Sequence, residues 1–259
     1  MHNHRPSRKS WQLLGMGCIV TIALVWYAVH RLRVAARQSE TAAHLQGILH
    51  NLHNYNTDYR HLPATTVKNV NGEALSSWRF ITAAFLLGDT VQVGYYGQHA
   101  HRNRPWDSEA NKRYLDGPYR DYAGSPLSYI DESRPGNKAR FVAIEGPGTA
   151  FDENNRWLMK DLPTDLIVVV EAHSCQFHWM EPGGDLNVRS MPQKIGAMGG
   201  IGPTQLEQKA FYVGFADTSV WLLRTDIPFE ELAKFLTIAE AKRYDRDTVL
   251  RPYAIRVWK

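Results

Sequence analysis

Hydrophobic positions fall into three regimes along the chain. In residues 11–29, nineteen consecutive positions carry no formal charge, and only Gln12 and Thr21 are notably polar. As a helix rising 1.5 Å per residue, this run is about 28 Å long, close to the ~30 Å hydrocarbon core of a bilayer. Trp11 at one end and Trp26-Tyr27 near the other suit the two membrane interfaces. The second regime, residues 31–55, contains no Pro and a single Gly, Gly47. Leu45, Ile48, Leu49 and Leu52 recur there at i, i+3, i+4 and i+7, the spacing of one buried helix face. Residues 31–41 are polar and read as a stalk, and Leu62-Pro63 ends the element because a residue before Pro is driven out of the helical region.

The third regime is strand-like. Short apolar runs at 141–144, 166–172, 211–216 and 219–223 predict strands, the last two joined by Asp217-Thr218 as a two-residue hairpin turn. Thr is poorly suited to a turn position with positive φ, so that turn is either strained or of another type. Residues 183–203 hold six Gly with little periodicity and read as a mobile loop. A helix is predicted from Phe229 to about Ala239, with Phe229, Leu232, Phe235 and Leu236 on one face and Pro228 at its start. The fold class expected is α+β: a long N-terminal helix, transmembrane then amphipathic, packed on an antiparallel β-sheet with loop-rich insertions.

Composition changes this picture only at the margins. With 259 residues, 44% hydrophobic and 22% charged, the chain is outside the collagen-like, disulfide-scaffold and wholly disordered classes. The net charge of +4 suggests a basic protein, but three of the 30 basic residues and none of the 26 acidic ones lie in residues 1–29. The rest carries 27 against 26, without the basic stripe that a nucleic-acid partner requires. One cysteine, Cys18, lies in the apolar run and the other, Cys175, far beyond it, so no intrachain disulfide is expected. No small-x-small cleavage site follows Tyr27, and Gly15 stands where lipidation of Cys18 needs an aliphatic residue, so the anchor is read as uncleaved. Residues 1–10 form a tail, 11–29 a transmembrane helix and 30–259 the main domain. Three basic residues flank the run on each side (Arg5, Arg8 and Lys9; Arg31, Arg33 and Arg37), so charge alone leaves the orientation tied.

Candidate chemistry is sparse. His173, Cys175 and His178 form the most metal-like cluster, although on a strand the first two share a face and the third points away. His50 and His53 are helix neighbours at i, i+3, with no carboxylate at helical spacing to complete a site. Glu171, Glu181, Asp185 and Asp217 are carboxylates whose approach in space the sequence leaves open. No nucleophile elbow, zinc-helix motif or phosphate-binding loop is present, and no cofactor is indicated. Trp78, Trp106, Trp179 and Trp221 read as core or lid aromatics.

Several short segments carry a resemblance when taken in order. They are His53-Asn54-Tyr55 with Leu62-Pro63, Ser77-Trp78-Arg79, Pro105-Trp106-Asp107 with Asn111, and Gly146-Pro147-Gly148-Thr149-Ala150-Phe151. Val168-Val169-Val170-Glu171 then precedes Trp179-Met180-Glu181-Pro182, and Phe215-Ala216-Asp217 precedes Ser219-Val220. Over about residues 40–240 this series resembles the bacterial pseudopilin-like domain-of-unknown-function family numbered 1559. The resemblance implies a type IV pilin-like N-terminal helix, an exported head, a cytoplasmic tail at 1–10 and an extracytoplasmic pilin-like domain at 30–259. It further implies a single-pass protein of the cell membrane with a structural or interaction role, at the cell surface or in a secretion-type assembly. The bilayer is then one partner, with proteins met through the helix and the head loops. The motif residues it marks, as structural positions, are Trp78, Trp106, Asp107, Asn111, Gly146, Gly148, Glu171, Trp179, Glu181, Pro182 and Asp217. The chain departs from the family in two places: no prepilin cleavage motif precedes Trp11-Gln12, and Glu207 and Asp217-Thr218 stand where the family has a His and an Asp-Gly. The competing expectation is a membrane-tethered enzyme or metal-dependent binding protein built on the carboxylates and histidines between Glu171 and Asp185.

Overall fold

A computed structural model describes residues 8–85, 91–93, 98–100, 103–111, 136–205 and 208–259, and the side chains of 21–83, 103–111, 136–205 and 208–259. The chain divides into two compact units, Met1–Thr41 and Ala42–Lys259. One helix, α1 (Arg8–Tyr59), contributes to both. In the first unit its apolar side chains face outward all round: Ile22, Leu24, Val25, Trp26, Tyr27 and Leu32 are each more than half exposed. Among the described residues no helix is long and apolar enough to cross a membrane. The side chains of residues 11–20, the first half of the run expected to span, lie outside the described set.

In the second unit the same helix becomes one-sided. Ala42, Leu45, Ile48, Leu49 and Leu52 are fully buried, as their spacing predicts, while His50 and His53 on the other side are exposed. The helix runs on to Tyr59 and stops at Arg60, whose φ of 63° takes the left-handed conformation of a helix C-terminal cap. Asn56, missed in the sequence, ties the last turn down: its Nδ2 donates to the Trp157 carbonyl at 2.9 Å and its Oδ1 accepts from the Met159 amide at 2.9 Å.

After the helix come a small hairpin, β1 (Thr66–Lys68) with β2 (Ala74–Ser77), then α2 (Trp78–Phe85) and a second hairpin, β3 (Val91–Val93) with β4 (Gln98–Ala100). The main sheet follows: β5 (Phe141–Glu145), β6 (Ile167–Glu171), β7 (Leu186–Asn187), β8 (Ala210–Phe215), β9 (Val220–Arg224) and β10 (Ala254–Trp258). Its order is β10-β9-β8-β6-β5-β7. All four predicted strands are present and pair antiparallel, but the sheet is mixed, because β7 joins the edge parallel to β5 through Ile144–Leu186 and Glu145–Asn187. The expected antiparallel sheet holds for five of the six strands and is corrected at this edge, which comes from the Gly-rich stretch expected to be a mobile loop. That stretch is tied in by backbone bonds from His173 N to Gly200 O, Gly196 N to Ile201 O and Gly202 N to Glu171 O, and Ile201 is buried.

Layering follows from strand alternation on β8. On one face Gly214 lets α1 approach so closely that a Cβ there would sit 2.8 Å from Leu49 Cδ1. On the other face Phe215 packs edge-on to Trp221, under the segment that follows β9. That segment holds three short helices, α3 (Phe229–Ala233), α4 (Ile238–Ala241) and α5 (Arg246–Val249), rather than one helix to residue 239. Thr237 breaks it: its backbone is extended and its hydroxyl accepts from the Glu240 amide, capping α4. The periodicity still placed Leu232, Phe235 and Leu236 in the core.

The β8–β9 turn also differs from its expectation. Phe215 and Ser219 pair through Phe215 N to Ser219 O, and Thr218 N donates to Phe215 O, which makes a three-residue loop of Ala216, Asp217 and Thr218. Thr218 occupies the left-handed position of that loop at φ 67°, the strain anticipated for a Thr in a positive-φ position.

Candidate functional site

Of the motif residues, Trp78, Glu171, Trp179, Glu181 and Pro182 lie on α2, the end of β6 and the 172–185 loop, which meet β5. Arg79, fully buried in the first turn of α2, reaches across about a hundred residues of sequence. Its Nη1 donates to Asp185 Oδ1 at 2.7 Å, its Nε to the Trp179 carbonyl at 3.1 Å and its Nη2 to the Gly183 carbonyl at 3.1 Å. Asp185 Oδ1 also accepts from Trp78 Nε1 at 2.9 Å and from the Ala143 amide of β5 at 2.8 Å. Both charged side chains are wholly excluded from solvent, and Asp185 Oδ2 has no hydrogen-bond partner among the described residues. Such a pair adds little net stability but fixes one arrangement, because any shift strands a buried charge. The guanidinium lies 5.4 Å from the Trp78 ring and 5.0 Å from that of Phe177, so Trp78 is both core and wall.

A second clasp sits at the end of β6. Glu171 is fully buried, and its Oε1 accepts from Arg140 Nε at 3.1 Å and Nη2 at 3.0 Å. Its Oε2 accepts from the Tyr212 amide at 3.1 Å. The β6–β8 register ends at Val170–Val213, so the carboxylate takes the next amide that the ladder leaves unpaired. Asp217, on the hairpin, forms a third clasp with Arg246 of α5, which also binds Asp165 at 3.2 Å, Ser219 Oγ at 2.9 Å and the Thr164 carbonyl at 3.3 Å. Burial works to raise the Asp217 pKa, but the Arg246 and Ser219 hydrogen bonds outweigh it and hold the carboxyl below its ordinary value. Glu145 goes the other way: burial, with the charges of Asp185 and Glu153, raises it despite the Thr65 hydroxyl and Arg79.

The histidines and Cys175 are engaged one by one. His173 Nδ1 lies 2.7 Å from the Pro203 carbonyl, an acceptor only, so Nδ1 carries the proton and Nε2 faces Ser174 Oγ at 3.0 Å. His178 Nδ1 accepts from the Met180 amide at 3.1 Å, and its ring stacks on Trp106 at 5.2 Å. Cys175 is buried with its thiol toward the Ala172 carbonyl. Among the described residues no three His, Cys, Asp or Glu side chains are placed to hold a metal ion.

The other motif positions serve turns. Gly146 and Gly148 adopt φ 109° and 76° in the loop after β5, where the Gly148 amide donates to Asp152 and its carbonyl accepts from Ile238 N. Asn111, buried, donates to the Pro105 carbonyl at 2.9 Å and closes the turn carrying Trp106 and the exposed Asp107. Glu181 Oε2 accepts from the His178 amide at 2.8 Å, just before half-buried Pro182. Trp179 and Trp221 are core residues. Glu207 lies outside the described residues. Of the three arginines that organise these carboxylates, the sequence marks only Arg79, within the Ser77-Trp78-Arg79 segment, and singles out neither Arg140 nor Arg246. Arg79 and Asp185 are 106 positions apart, Arg140 and Glu171 are 31 apart, and Arg246 and Asp217 are 29 apart. No local spacing could have revealed them.

No known protein family, curated protein or solved structure matches this chain.

Proposed function

We propose that this protein is a membrane-anchored, pseudopilin-like structural or interaction protein, single-pass, with residues 30–259 on the extracytoplasmic side. The observation that carries the reading is the change of character along α1. Ile22, Leu24, Trp26 and Tyr27 are each more than half exposed on a stretch of helix that is apolar on every side, whereas from Ala42 onward the same helix buries one face in the head. A helix apolar on every side suits lipid or neighbouring helices, and a one-sided helix suits a sheet. The resemblance in motif order supports the pilin-like form of this arrangement. Among the described residues, the carboxylates between Glu171 and Asp185 are committed to arginines and backbone amides, which favours a structural role for that region over the tethered-enzyme reading.

The full chain should remain with the membrane through an alkaline carbonate wash, and protease added outside intact cells should cleave the head. Release by carbonate would refute the anchor, and protection of the head would refute the orientation.

A further inference from the structure

No acidic residue precedes Glu40, while six basic residues do, three before the apolar run and Arg31, Arg33 and Arg37 after it. The second group is exposed, and none of its members forms an ion pair among the described residues. At 100° per residue, Trp26, His30, Arg33 and Arg37 fall within an arc of about 60°, while Arg31 lies roughly 130° from the centre of that arc. The Trp26 and His30 rings stack at 5.6 Å with planes 11° apart, a flat aromatic step between the apolar and basic parts of the stripe. Beside that step an open groove of about 470 Å³ runs along the helix from Thr21 to Arg33, lined by Ile22, Trp26, Val29, His30 and Arg33 among others.

The order along this face is aliphatic, aromatic, cationic, which is the order of an anionic lipid read from chain to headgroup. On this basis, and resting on the anchored reading above, we infer that the face binds one anionic phospholipid lengthwise. An acyl chain lies along Ile22 and Val29, about 50° and 70° from the centre of the arc, the glycerol level meets Trp26 and His30, and the phosphate is held by Arg33 and Arg37. Arginine suits this place because its planar fork of donors pairs phosphate oxygens two at a time. Cations at a membrane surface also gain from any anionic headgroup within a Debye length. The first acid, Glu40, closes the stripe on the side away from the bilayer.

The test uses the full chain reconstituted in phosphatidylcholine bilayers carrying either spin-labelled phosphatidylglycerol or spin-labelled phosphatidylcholine. The protein should immobilise the anionic label with a preference of roughly threefold, reduced by high salt. Arg33→Gln with Arg37→Gln should abolish the preference, whereas Arg31→Gln, on the opposite face, should leave it near its original value. Equal immobilisation of both labels by the unaltered protein would overturn the site while leaving the anchor standing. A loss from Arg31→Gln as large as that from the double variant would also overturn it, since general surface charge would then suffice. Displacement of the anionic label by millimolar inorganic phosphate, but not by chloride at equal ionic strength, would mean a free-anion site and overturn the lipid assignment. If neither label is immobilised, the anchored reading fails as well.

Discussion

Thr218→Gly should stabilise the head. Thr218 holds φ 67° in the three-residue β8–β9 loop, a region that costs an L-residue about 1–2 kcal/mol through Cβ crowding. Glycine removes that cost but returns roughly 0.5–1 kcal/mol of extra freedom to the unfolded chain. The backbone bonds of the turn, Thr218 N to Phe215 O and Phe215 N to Ser219 O, are available to any residue. The net gain is therefore about 0.5–1 kcal/mol, or a rise of about 1–4 °C in melting temperature for a unit of this size. Thr218→Asn should gain part of this, because Asn tolerates the left-handed region, whereas Thr218→Ala keeps the Cβ and should gain little. Thermal melts followed by circular dichroism in one detergent would order the four proteins. A glycine variant no more stable than the alanine variant would refute the strain argument.

Other perturbations probe the layers. Gly214→Ala drives a methyl into Leu49 and should cost about 1–3 kcal/mol in chemical denaturation; adding Leu49→Ala should recover part of it, a coupling readable in a double-mutant cycle. Asp217 is held below its ordinary pKa, so its clasp with Arg246 stabilises the head at neutral pH and is lost as pH falls below about 4. Asp217→Asn should accordingly lower stability at pH 7 and shrink the difference from the unaltered protein towards pH 3. A chain shortened to begin at Thr41 should melt like one beginning at Arg31, whereas one beginning at Leu62 should fail to fold cooperatively. It would lack Leu45, Ile48, Leu49 and Leu52, each contributing about 1.5–3 kcal/mol of burial.

The elements that could be read in the sequence were those whose cause is local. The buried stripe of α1 follows from 3.6-residue spacing and four of the five long strands from short β-rich apolar runs, whereas the sequence does not anticipate β10 and allows the Asp217-Thr218 turn to be either strained or of another type. The misreadings have different causes. Residues 183–203 looked like a free loop because glycine-rich chain carries no periodic pattern, yet β5 had an open edge and Leu186-Asn187 filled it. The helix predicted beyond Ala233 kept its apolar spacing but lost its continuity, because Thr237 caps a new start instead of extending the old one.

Among the motif residues the division is sharper. Sequence alone marked Trp78, Trp106, Trp179 and Trp221 as core or lid aromatics, since large aromatic surfaces are buried wherever a core exists, and the fold buries all but the half-buried Trp106. Sequence also determined the charge asymmetry before Glu40 and the apolar run beginning at Trp11. Only the tertiary structure decided what the carboxylates do. The sequence left the approach in space of Glu171, Asp185 and Asp217 open until folding brought Arg140, Arg79 and Arg246 onto them. A charge removed from water must find its partner in three dimensions, and partners 29 to 106 residues away leave no trace in local spacing.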